Sequence, residues 1–137
     1  MPAFMIIAWL VSVFLPGHPI LANLSNEQVN FAQHIYNVAV NEKINPELFL
    51  KLSECESKIK KVALGDYRKE IDTYISQGIF QFQKKTFDMY SKKYNFIGSW
   101  LNPYSQISLT GIIIGREKNG WKNWLTCGKI VGYDKGI

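Results

Sequence analysis

Three helix starts are written into this chain more plainly than anything else, and together they restrict it to a mainly helical fold. At Ser25-Asn26-Glu27-Gln28 a serine is followed three residues later by a glutamine. This is the capping-box pattern, in which each side chain satisfies a free backbone N–H of the other residue. At Asn45-Pro46-Glu47 an N-cap asparagine precedes a proline, whose missing N–H is not needed at the first helical position, and an acid that suits the positive end of the helix dipole. Asn102-Pro103 repeats the signal. Behind each start the apolar residues recur at helical spacing. Val29, Ala32, Tyr36 and Val40 mark a first helix ending near Asn41, and Leu48, Leu52 and Cys55 mark a second. Ile107, Leu109, Ile112, Ile113 and Ile114 make a third, apolar on so many sides that it is expected to be the central, most buried helix, closed by Asn119-Gly120. A further helix is predicted from Lys84 to Tyr94, with Phe87, Met89, Tyr90 and Tyr94 for packing. Trp121, Trp124 and Cys127 predict a short C-terminal helix that frays after Gly128.

Between residues 57 and 77 the helical period fails, and the mixture of polar, β-branched and aromatic residues predicts a loop or small hairpin. The expected fold is therefore mainly α, a small helical domain with a minor β-hairpin or loop element beside the second helix. With 137 residues, 47% hydrophobic and 20% charged, the chain has the composition of one globular domain, expected as a monomer.

Residues 1–26 contain no Asp, Glu, Lys or Arg, and residues 3–15 form an almost unbroken apolar run. A bilayer-spanning helix takes roughly 20 residues; this run has instead the length of a signal-peptide core. Pro16, Gly17 and Pro19 interrupt it, and the small Ala22 precedes a cleavage point before Asn23. Ile20, where a small residue is usual, and the absence of a basic start depart from that pattern. Residues 1–22 are read as a signal peptide or an N-terminal membrane anchor, with a buried N-terminal helix as the remaining reading, and residues 23–137 as the domain. Export to the periplasm, cell wall or exterior follows. The net charge of +5, from 16 Lys and Arg against 11 Asp and Glu, suits a polyanionic partner such as a cell wall or nucleic acid, and export argues against nucleic acid. Cys55 and Cys127 are an even pair in an oxidising compartment: either a disulfide, whose large loop is worth about 4 kcal/mol in the chain-entropy model, or two buried thiols. Beside them stand only His18, which would leave with the leader, and His34, expected on a helix surface. With no clustered spacing among these four, no metal site is expected.

Chemistry concentrates in a helix ending Cys55-Glu56-Ser57, then Gly65-Asp66, then Ser76-Gln77-Gly78-Ile79-Phe80-Gln81-Phe82. Glu56-Ser57 and Gly78-Ile79-Phe80-Gln81, followed by Asn102-Pro103, resemble in order and spacing the soluble lytic transglycosylase domain of the lysozyme-like superfamily. There a helix delivers a Glu-Ser pair and a Gly-hydrophobic-hydrophobic-Gln segment follows. The resemblance covers residues 45–127, and the Trp-and-Cys ending is similar to that of small members with a terminal cysteine. An Ala-Tyr-Asn-Ala-Gly type segment is absent, with Gly120-Trp121-Lys122-Asn123-Trp124 in its place, so the sugar contacts of its tyrosine do not carry over. The resemblance implies a lysozyme-like α+β fold, peptidoglycan glycan strands as substrate and no cofactor. It also implies Glu56 as general acid and base, with Ser57, Gly78 and Gln81 lining the cleft.

Glu56 can also be argued from chemistry. Breaking a glycosidic bond needs a carboxylic acid still protonated near neutral pH. Desolvation by Phe80 and Phe82 and the negative end of its own helix would both raise its pKa. Glu42, Glu47 and Glu54 read as ordinary solvated helix acids. A hydrolase would want a second carboxylate, for which Asp66, Glu70 and Asp72 are the candidates; Asp66 reads equally as the cap of a turn after Gly65. A transglycosylase needs none. Its single glutamate first gives a proton to the leaving oxygen and then takes one from the muramic 6-hydroxyl, closing a 1,6-anhydro ring. The rival readings are a muramidase and a non-catalytic wall-binding module. A cationic membrane-active protein is disfavoured by the mixed charges of the helices. Trp100, Trp121, Trp124, Tyr74 and Tyr104 read as core before they read as sugar platforms.

Overall fold

The computed structural model describes residues 2–14, 17–71 and 73–135; Leu15 and Pro16 of the N-terminal segment and the loop acid Asp72 lie outside the described residues. Among those described there are seven α-helices and one three-stranded sheet: α1 Ala3–Val13, α2 Pro19–Ala22, α3 Asn26–Glu42, α4 Pro46–Ser57, β1 Leu64–Arg68, β2 Thr73–Gln77, β3 Phe82–Gln83, α5 Lys84–Lys93, α6 Pro103–Arg116 and α7 Leu125–Val131. The fold is mainly helical with a minor antiparallel sheet, as expected.

Each helix start forms as its side chains dictate. Ser25 Oγ accepts from Gln28 N at 3.1 Å while Gln28 Oε1 accepts from Ser25 N at 3.0 Å. Asn45 Oδ1 takes the N–H groups of Glu47 and Leu48 at 2.9 and 3.1 Å, and Asn102 Oδ1 that of Ser105 at 3.1 Å. Such caps satisfy donors that the first helical turn leaves free.

The core lies where α3, α4 and α6 meet. Phe31, Ala32, Ile35 and Ala39 of α3, Phe49, Leu50 and Leu52 of α4, and Ile107, Leu109 and Ile113 of α6 are buried. The buried stripe of α3 is thus rotated from the one expected: Val29 and Tyr36 are half-buried and Val40 is exposed. The rotation lets Tyr36 meet Trp9 of α1 edge-on, with centroids 5.2 Å apart. α1 buries Ile6, Leu10 and Val13 and leaves Phe4, Met5, Ile7 and Val11 exposed. No described helix is long and apolar enough to cross a membrane.

Three further expectations are corrected. Met89 of α5 is exposed, and Phe87 alone is buried from that helix. His34 is not a free surface residue: its Nε2 lies 2.9 Å from Ser108 Oγ of α6, its ring meets Tyr104 edge-on, and burial lowers its pKa. The described residues after Gly128 remain ordered in helix and turn up to residue 135. α7 continues to Val131, and Tyr133 stacks on Trp121 with centroids 6.2 Å apart.

The sheet follows α4 directly. β1 and β2 form a hairpin with Gly65 opposite Ser76 and Tyr67 opposite Tyr74, and β3 adds to β2 through Ser76–Gln83 and Gln77–Phe82. The disulfide alternative holds at the other end: Cys55 of α4 and Cys127 of α7 are bonded, with Cα atoms 5.8 Å apart. This fastens the last helix to the helix that carries Glu56.

Candidate active site

Glu56 sits in the last turn of α4, which ends at Ser57 when Lys58 turns left-handed at φ 57°. The chain leaves the helix there, and the carboxyl points into a cleft of about 450 Å³. Gly65, Asp66 and Ser76 of the hairpin form one side of it, Gln81 and Phe82 the floor, and Asn123, Trp124 and Cys127 the far wall. Among the described residues no hydrogen-bond or ion-pair partner reaches this carboxyl, although other helix acids have one. Glu27 pairs with Lys61, Glu42 with Arg116 and Glu47 with Lys51, while Glu54 lies 3.6 Å from His18 Nε2.

Burial without a cation raises the pKa of Glu56 to about 7, and the negative charge of Asp66 pushes it the same way. A carboxyl raised this far keeps its proton to much higher pH than an ordinary glutamate, as glycosidic cleavage requires of its acid. Phe82 supplies part of the desolvating wall. Phe80 does not: it is fully buried behind the cleft, stacked on Phe49 at 5.1 Å.

Asp66 is not in a turn. It lies inside β1 at φ 51°, in the left-handed region, and Ser76 Oγ donates to its Oδ2 at 2.5 Å. The cleft thus holds two carboxyls in different surroundings, a desolvated one and one with a hydroxyl partner. Glu70 is exposed near the hairpin turn and is not part of the cleft wall.

The cleft floor is set by segment 77–82, whose backbone groups have nearly all been given partners. Gln106 of α6, fully buried, donates from Nε2 to Gln77 O and Trp100 O at 2.9 and 2.8 Å and accepts from Phe80 N at 3.0 Å. Ser57 Oγ donates to Ile79 O at 2.7 Å. The indole N–H of Trp124 donates to Phe80 O, and that of Trp100 to Phe82 O, each at 2.8 Å. Buried backbone groups left without partners cost free energy, so these side chains fix the segment in one shape.

This bracing reassigns several residues. Ser57 is buried and engaged behind the cleft, not on its wall. Gly78, at φ 93°, is glycine because a Cβ there would come within 2.3 Å of Gln106 Nε2; its neighbour is protein, not the open cleft. Gln81 does line the cleft, but its amide NH2 group is occupied by Ala63 O and Gly78 O at 2.9 and 2.8 Å, which turns Oε1 toward Gly65. Trp124 is buried, as read from the sequence, and Trp100 is half-buried; each also braces the segment through its indole N–H. Gln106, Asn123, Thr86 and Thr126 escaped the reading of the sequence. Asn123 lies in the segment that departs from the transglycosylase pattern. It is held by Gly120 O at 2.9 Å and by the Tyr90 hydroxyl at 3.1 Å, and no spacing rule in the sequence marks it.

No family model, curated protein or solved structure matches the chain. What the site does therefore has to be argued from its own geometry and from the motif resemblance.

Proposed function

We propose that the protein is a peptidoglycan-cleaving enzyme of the lytic transglycosylase type, built on a lysozyme-like fold. The observation that carries this reading is Glu56, a carboxyl with a pKa of about 7 in an open cleft, with no cation to hold it ionised among the described residues. In the proposed reaction Glu56 gives its proton to the glycosidic oxygen as the bond from muramic C1 to that oxygen breaks. The resulting carboxylate takes the proton of the muramic 6-hydroxyl while that oxygen bonds to C1. The acid is regenerated, a 1,6-anhydro end is formed, and no water is consumed. The Glu-Ser and Gly-Ile-Phe-Gln motifs support the assignment, and a charge-free N-terminal segment together with the Cys55–Cys127 bond supports an exported protein.

One observation favours a second reading. Asp66 shares the cleft and is oriented by Ser76, the arrangement a muramidase would use to hold an attacking water. Incubating the full chain and its Glu56→Gln variant with purified peptidoglycan, and weighing the released fragments by mass spectrometry, separates the two. Ends lighter by one water than reducing ends, released at a rate at least about a hundredfold lower by the variant, are expected. Reducing ends would make the protein a hydrolase. Release by neither protein would leave a wall-binding module.

A further inference from the structure

The hairpin carries more than the edge of the cleft. On β2, which is regular, residues two apart share a face, so Tyr74, two residues beyond Ser76, stands on the face that Ser76, opposite Gly65, presents to the cleft, and Tyr67 pairs with Tyr74 and meets its ring. The orientation of that face is fixed by close approach: a Cβ at Gly65 would lie 2.3 Å from Gln81 Oε1. Two residues of strand advance about 7 Å, a step longer than one sugar ring, so the tyrosine pair begins where the cleft opens outward. The rings lie 5.1 Å apart at 57° to one another, and Tyr67 is 50% and Tyr74 38% exposed. Unlike Trp100 and Trp124, neither is spent on the core.

We propose that Tyr67 and Tyr74 form an outer glycan-holding platform that continues the cleft, taking the next β-1,4-linked amino-sugar units of a strand that passes Glu56. This rests on the reading of the cleft as a glycan site. A pyranose of this type presents a face of C–H bonds that packs on an aromatic face, while its hydroxyl and amide edges remain available to polar partners. The platform adds affinity for long strands and leaves the chemical step untouched.

The test uses the full, oxidised chain. In the Glu56→Gln background, binding of β-1,4-linked N-acetylglucosamine oligomers is measured by calorimetry for the parent and for the Tyr67→Ala/Tyr74→Ala variant. Six-sugar binding is expected to weaken roughly tenfold, equivalent to about 1.4 kcal/mol, with two-sugar binding unchanged and Tyr67→Phe/Tyr74→Phe close to the parent. In the Glu56 protein the alanine pair should raise KM on long strands and leave kcat alone. Equal six-sugar affinity in parent and alanine variant, equal weakening for two and six sugars, or no six-sugar binding by the parent would overturn the platform. Failure of the wild-type chain to cleave peptidoglycan sinks the reading of Glu56 instead, and the binding comparison still decides the platform.

Discussion

Two stretches border the candidate cleft and are built on opposite plans. Segment 77–82 is threaded through the interior, and its backbone is pinned by Gln106 of α6, Ser57 of α4, and Trp100 and Trp124 from the connections before α6 and α7. The β1–β2 hairpin stands in solvent, held mainly by its own ladder, with Leu64, Tyr67, Ile71 and Tyr74 exposed. The rigid stretch faces the acid, where the proposed proton transfer is sensitive to small displacements. The exposed stretch lies further out, where the proposed platform has only to hold a strand. The contrast separates parts whose geometry must be fixed from parts whose surface is used.

That contrast can be broken by experiment, most forcefully at the far wall. Replacing Cys55 and Cys127 by serine should cost about 4 kcal/mol in the chain-entropy model for a bond spanning 72 residues, read as a fall in the urea midpoint. A loss near zero would show that packing alone seats α7. Next comes Gln106→Ala, which strands Gln77 O, Trp100 O and Phe80 N at once. A loss of about 3 kcal/mol in the same titration is expected, and a loss below about 1 kcal/mol would mean that segment 77–82 is held by its apolar side chains.

The acid itself gives a pH-dependent test. Its folded pKa of about 7 lies above the ordinary carboxylate range, so the folded chain binds the Glu56 proton more tightly than the unfolded chain does. Stability should therefore be full below the unfolded pKa and decline as pH rises through about 7. Because the group is partly open to solvent, the decline is on the order of 2 kcal/mol, and Glu56→Gln should abolish it. A slope identical in both proteins would place the proton elsewhere. Asp66→Asn should move the same decline, and the alkaline limb of activity, to lower pH, because one of the two causes holding the pKa up is gone. The smallest effect belongs to the hairpin: Tyr67→Ala/Tyr74→Ala should cost less than about 1 kcal/mol, and a larger loss would show that the pair is structural.

How much of this was legible in the chain depended on the range of the interaction. Caps and hairpin turns are decided by residues a few positions apart, so Ser25, Asn45, Asn102 and the residue 57–77 interruption could be read directly. The position of Glu56 at a helix end followed from the same local rules. Val40 was misjudged because a helix with apolar residues on several sides does not say which neighbour it will meet; the answer came from α1 and α6. Ser57, Gly78 and Gln106 were illegible for a related reason. Their partners across the cleft floor lie 22 to 29 residues away, and a buried glutamine that satisfies three backbone groups has the same letter as one in solvent.

The Cys55–Cys127 bond also orders events in time. A ribosome delivers Glu56 well before it delivers Cys127, so the acid exists on the growing chain while the wall opposite it is still unmade. Helix α7 completes the acid's surroundings, and the bond that fixes it needs an oxidant as well as Cys127. Until both conditions are met, the carboxyl has no enclosing wall to exclude water from its far side. The desolvation that raises its pKa is then incomplete, and the carboxyl acquires its folded environment only after α7 is in place.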